Sequence, residues 1–184
     1  MVGSFADQAG KNPELEKPGL LQLSPEQPGA DRHRPADVYI PSWEGGRPAC
    51  FDLAVTSPMR RDIVGAASRK AGAAAEAYEG YKRSYLNTAA DCVNQGLAFV
   101  PLVAEPSGGW GPSALCTFKA LARTHAIVSG CDSGIVLKDF LSRLCAVVRK
   151  HNARAVLRRG AGASEALRRV GEARASASAA LTAD

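Results

Sequence analysis

Two aspartates, Asp37 and Asp52, flank a Gly-Gly pair in the stretch RPADVYIPSWEGGRPACFDLAVTSP. On the first side Asp37, Tyr39 and Pro41 alternate with Val38 and Ile40; on the second, Asp52, Ala54 and Thr56 alternate with Phe51, Leu53 and Val55. A period of two predicts strands, and Gly45-Gly46 supplies the punctuation of a hairpin loop. Folding about the Glu44–Gly45 bond sets Asp37 opposite Asp52 and turns the apolar side chains toward a core. Residues paired in this way have Cβ atoms roughly 4.5–5.5 Å apart, and like charges there repel. A cation relieves that repulsion, and one Mg²⁺ held by one or two carboxylates plus waters suits such a pair. The bland alternative places the aspartates at solvated strand ends, where no ion is needed.

A lysine is the other residue whose surroundings call for chemistry. Tyr78, Tyr81, Lys82 and Tyr85 are spaced to share one helix face. A tyrosine stripe is more often core packing than function, but an ammonium within it must reach water or an anion. Glu105 follows the apolar run LAFVPLVA, from where it either approaches a metal or caps a helix N-terminus, the second being preferred. Cys50, Cys92, Cys116, Cys131 and Cys145 form no CxxC, and His33, His125 and His151 complete no zinc pattern, so buried free thiols are expected. The chain has no P-loop, no GxGxxG and no recognisable Ser-His-Asp set.

The elements that would position these residues follow from pattern. Residues 1–33 carry Pro13, Pro18, Pro25 and Pro28 and read as irregular, with a short turn near Leu15 and Leu20, Leu21 and Leu23 packing onto the body. After Pro58 the pattern is helical, from Asp62 to Lys70 and then from Ala71 to Val93, with Gly65 and Gly72 as interruptions. LAFVPLVA predicts a strand buried on both faces, reached by a β-α-β crossover. Pro112 opens a helix to about Val128 with Leu115, Phe118, Leu121, Ala122 and His125 as its buried stripe. Asp132 or Ser133 caps another helix, continuing to about Arg159, and Gly160-Ala161-Gly162 breaks the chain before a basic, disordered tail over 160–184. Trp110 is expected to anchor the PSGGWG turn.

The segments RPADV, FDLAVTSP, the lysine of GYKRSY and FVPLVAEPSGGWG resemble the restriction-like endonuclease domain that follows the reverse transcriptase in some non-LTR retrotransposons. That domain belongs to the PD-(D/E)XK nuclease superfamily, and the resemblance spans roughly Leu15 to Arg159. It implies an α/β fold with a PD-(D/E)XK restriction-endonuclease-like core over 34–159: a small mixed sheet, made of the catalytic hairpin and a crossover strand, flanked by helices. It implies metal-dependent DNA cleavage, nickase-type, with Asp37 and Asp52 holding Mg²⁺ or Mn²⁺ and Lys82 catalytic. Many members carry the lysine two residues after the second acid, a position that here is Ala54; the retrotransposon-type domains place it on the following helix, as Lys82 does. Members also open with a helix that often bears a glutamate; SFADQAG is its only remnant here, and Glu16 is the substitute candidate. Glu105, Tyr81 and Glu16 are therefore accessory candidates, and Arg34, Arg47, Arg149 and Lys150 candidates for DNA contact. The chain has no reverse-transcriptase motifs, so a reverse transcriptase and element RNA would come from another chain.

Size, charge and composition set outer bounds. A chain of 184 residues with 46% hydrophobic and 22% charged residues suits one globular domain. No apolar run approaches the ~20 residues of a membrane span, and the N-terminus lacks a secretory pattern, so an intracellular setting is expected, nuclear if the source is eukaryotic. The net charge of +5 is concentrated from Lys138 onward, which suggests phosphate contact or, as readily, a solvated helix face. A non-catalytic nucleic-acid-binding remnant of such an element is the rival reading.

Overall fold

The computed structural model describes residues 1–21 and 35–181; for residue 161 and residues 163–181 it describes the backbone alone. Leu23, Pro25, Pro28 and Arg34 lie outside the described residues. Residues 1–146 form one compact unit and residues 147–184 a second.

The first unit is built on a four-stranded mixed sheet of order β1-β2-β3-β4. Its strands are β1 (Glu14–Leu15), β2 (Val38–Ile40), β3 (Ala49–Val55) and β4 (Ala98–Ala104). β1 and β3 run antiparallel to β2, and β4 runs parallel to β3. The hairpin register pairs Val38 with Phe51 and Ile40 with Ala49 and stops there. Asp37 lies just outside β2 and bonds through its N–H to Phe51 O, so the direct pairing with Asp52 that the alternation predicts is not made. Its loop needs glycine: Gly45 and Gly46 have φ of 65° and 76°.

Side chains alternate across the sheet, and each face is covered by its own helices. Val38, Ile40, Phe51 and Leu102 join the core formed with α1 (Val2–Gln8), α5 (Pro112–Ser129) and the start of α6 (Ser133–Leu181). Phe5 of α1 stacks on Phe140 at 3.8 Å between centroids, and Phe118 meets both Phe140 and Trp110 edge-on at 5.2 Å. The opposite face carries Tyr39, Cys50 and Phe99, which pack with Cys92 of α4 (Thr88–Asn94). α2 (Val64–Ala67) and α3 (Ala73–Ser84) lie within the β3-to-β4 crossover.

Several expectations change. Residues 1–33 are not irregular throughout: Val2, Phe5, Ala6 and Ala9 fall at helical spacing and are all buried, which is enough to fold α1 against α5. A first strand is present at Glu14–Leu15, where the sequence predicts a short turn. The helix expected over 71–93 breaks at Leu86 and Asn87, both left-handed, with φ of 49° and 59°. Of the three apolar residues expected to face the core from β3, only Phe51 does, because β2 ends and Leu53 and Val55 run on into solvent. Gly160 and Gly162 do not break α6, which continues to Leu181; the surrounding Ala, Arg, Leu and Glu are strong helix formers and offset about 1 kcal/mol per glycine.

Candidate active site

Asp37, Asp52 and Lys82 come from three elements and meet on the helix-α3 face of the sheet. Asp52 occupies the middle of β3, on the side shared with Cys50 and opposite Phe51. Lys82, in the last turn of α3, reaches down so that Nζ lies 2.8 Å from Asp52 Oδ2. Asp37 closes the group from the neighbouring strand: its backbone N–H donates to Phe51 O at 2.9 Å, and its Oδ2 accepts from Leu53 N–H at 2.6 Å. Among the described residues no donor reaches Oδ1 of Asp37 or of Asp52.

Electrostatics separate the two charged partners of the ion pair. Asp52 is the more deeply buried, its side chain 13% exposed against 25% for Lys82. Burial raises the Asp52 pKa, more than the Lys82 ion pair lowers it, and the like charge of Asp37 pushes the same way. Burial also works against the Lys82 ammonium, but the pairing with Asp52 outweighs it, and Tyr78 and Asp37 add to the effect, so its pKa is raised. The pair therefore secures the lysine charge while leaving the aspartate charge costly. Lys82 is an ammonium at neutral pH, able to donate and to balance negative charge but not to act as a base.

Two carboxylates against one ammonium leave a net negative charge at a partly buried point. Their Oδ1 atoms are oxygen donors of the type that hard divalent cations take, so the pair fits Mg²⁺ or Mn²⁺. Among the described residues no three metal-ligating side chains gather, so such an ion would complete its shell with water or with phosphate oxygens.

The remaining candidates are placed elsewhere. Glu105 is buried and accepts from the backbone N–H groups of Gly72, Ala74 and Ala75 at 3.3, 2.9 and 3.2 Å. It caps a helix as preferred, but the helix is α3, which precedes it in sequence. Lys82 is some eight residues further along α3, about 12 Å at 1.5 Å per residue, so Glu105 is not at the aspartates. Glu16 donates its backbone N–H to Asp37 O at 3.0 Å, yet its side chain is exposed. Tyr81 lies beside Lys82 and is 49% exposed, so the tyrosine stripe is surface rather than core. Arg47 sits in the hairpin loop, five residues along β3 from Asp52 and so about 16 Å away. Arg149 and Lys150 are exposed on the helix of the second unit. His125 packs edge-on against Phe5 at 5.7 Å and is half-buried, at the rim of the core.

Glu79 escaped the sequence reading. It is buried on α3, one turn before Lys82, and accepts from the N–H groups of Ser113 and Ala114 at 3.1 and 3.2 Å, capping α5. Glycine at 111 is required by contact: a Cβ there would stand 2.0 Å from Glu79 Oε1. Two carboxylates thus anchor α3, Glu105 at its start and Glu79 along its length, and they set where Lys82 arrives. The visible signals were an acid next to the tyrosine stripe of an alanine-rich helix and the closely spaced glycines of PSGGWG.

In comparisons with known proteins, no family model, no curated protein and no solved structure matches this chain.

Proposed function

We propose that the protein is a metal-dependent DNA endonuclease of the PD-(D/E)XK type, nicking one strand by hydrolysis of a phosphodiester bond. The observation that carries this reading is the meeting of Asp37, Asp52 and Lys82, drawn from positions far apart in sequence, at one net-negative point on the sheet. The second carboxylate supports the reading, since an ion pair with Lys82 needs only one.

Asp37 and Asp52 would hold Mg²⁺ or Mn²⁺, which when bound polarises the scissile phosphate and lowers the pKa of a water. Asp37 is fixed for that role by its bond from Leu53 N–H, which aims one oxygen and leaves the other open. Lys82 would donate to a nonbridging phosphate oxygen and balance the charge that grows there during attack. The resemblance to retrotransposon endonucleases supports DNA as substrate, with a reverse transcriptase and element RNA on another chain.

The rival reading is a nucleic-acid-binding protein without catalysis. What favours it is charge: residues 147–184 hold eight Lys/Arg against three Asp/Glu, which accounts for the whole net charge of +5. Nicking of supercoiled plasmid separates the two. The enzyme reading expects open-circular product that requires Mg²⁺ or Mn²⁺ and is lost in Asp52→Ala and Lys82→Ala. Equal DNA binding by all three proteins with no product would leave the binding reading.

A further inference from the structure

We propose that Tyr78, Tyr81 and Tyr85, with Arg60, form a stacking platform for the bases of an unpaired DNA strand, so that the protein takes single-stranded or branched DNA ahead of plain duplex. The choice of DNA and the location of the scissile bond rest on the nuclease reading; the stacking of bases does not.

Tyr81 on α3 and Tyr85 just past its end are 49% and 47% exposed, two large rings at the surface. Their centroids are 5.4 Å apart at 40°, and Tyr78 lies 5.3 Å from Tyr81 at 34°, so the rings are tilted rather than closed on one another. Clustered exposed aromatics mark interaction sites. Beside them is a cleft of about 390 Å³ lined by Arg60, Asp62, Tyr78 and Tyr81 over the small side chains Ala74 and Ala77. Arg60 stands over the Tyr78 ring, 6.0 Å from its centroid. A planar ring entering that cleft meets aromatic faces beside a guanidinium that is held in place by its ion pair with Asp62.

Charge selects the rest of the ligand. Residues 1–146 are neutral overall, yet residues 60–85 carry six Lys/Arg against Asp62, Glu76 and the buried, capping Glu79. Arg61 is exposed and has no partner among the described residues, leaving it for a phosphate. Lys82, between Tyr81 and the aspartates, joins the platform to the candidate site. In duplex DNA the base faces are covered by their neighbours; in a single strand they are free to stack on aromatic rings.

The test uses the full chain with EDTA present and short oligonucleotides carrying 2-aminopurine: one DNA strand, the same sequence as duplex, and the same sequence as RNA. The expected result is at least tenfold tighter binding of the DNA strand than of the duplex, with 2-aminopurine fluorescence quenched on binding. Tyr81→Ala should weaken that binding about 5- to 150-fold, the worth of one stacked base, while Tyr81→Phe keeps it. Both rings are half-exposed, and far-UV circular dichroism confirms that the variants are folded. Duplex bound as tightly as the single strand, unchanged binding in Tyr81→Ala, unquenched 2-aminopurine or a preference for RNA would each overturn the proposal. Because nothing is cut, an inactive protein can pass and an active nuclease can fail.

Discussion

Asp52 is held in a state that costs the fold. Its pKa is raised because burial outweighs the help from Lys82. An acid with a raised folded pKa contributes stability below its unfolded value and loses it as pH rises through the folded value. Asp52→Asn is therefore predicted to be no less stable than the parent at pH 7, and to lose that advantage at acid pH, where Asp52 is protonated in both states. Thermal melts across pH check this, and a large loss of stability in Asp52→Asn at pH 7 would make the pair an ordinary structural salt bridge. Lys82 behaves in the opposite range. Its raised pKa means the ammonium persists through neutral pH and is lost only on the alkaline side of its ordinary value, so the rate of a Lys82-dependent reaction should not fall near pH 8. That the two aspartates come near each other was legible from the hairpin pattern, though not as a paired rung; the ion pair was not, since nothing in the spelling of GYKRSY says which strand its lysine meets.

Buried dithiols lie just behind this site. Cys50 of β3 and Cys92 of α4 are both fully buried, and their thiols share a hydrogen bond that pushes the Cys92 pKa up, with burial acting in the same direction. The same bond lowers the Cys50 pKa. These two thiols are buried and free as expected, whereas Cys116 and Cys131 are exposed, which corrects the expectation of buried thiols throughout.

At the scale of elements, the claim is that Glu79 and Glu105 place α3. Losing a buried capping carboxylate costs about 2–3 kcal/mol, so Glu79→Ala should lower the denaturation midpoint by a matching amount. Gly111→Ala should be destabilising too, because its methyl group meets Glu79. The double variant should cost less than the two singles together, as expected for residues in contact. Additive losses would show that the glycine is needed for some other reason. Element legibility follows the same physics. The hairpin was readable because period and turn agree, whereas the break at Leu86 and Asn87 left no glycine or proline to mark it. Pro101 did carry a readable signal: a proline within a strand belongs at a sheet edge, and β4 is the edge here, its end covered by the bridge from Ala104 to Trp110.

At the scale of the molecule, the division of charge carries the prediction. The compact unit of residues 1–146 is neutral and has its own core, while the helical unit of 147–184 holds the basic surplus. Removing residues 147–184 should leave thermal stability within a few degrees but weaken DNA binding and flatten its salt dependence. Each lost phosphate contact reduces the slope of log K against log salt by about 0.9 for duplex. An unchanged slope would assign the phosphate contacts to the compact unit instead. The described residues contain no helix long and apolar enough to cross a membrane. The basic C-terminal third was visible in the sequence; that the surplus begins just where the compact unit ends required the contacts of the first unit.

The most direct trial of the central claim is single-turnover nicking of supercoiled plasmid with Mg²⁺ by the parent, Asp37→Asn, Asp52→Asn, Lys82→Ala and the triple variant. Groups that act as one unit are strongly non-additive. Each single change is expected to slow nicking by about 10²–10³-fold or more, and the triple variant to be little slower than the worst single. A parent protein with no metal-dependent nicking, or a Lys82→Ala variant as fast as the parent, would contradict the account.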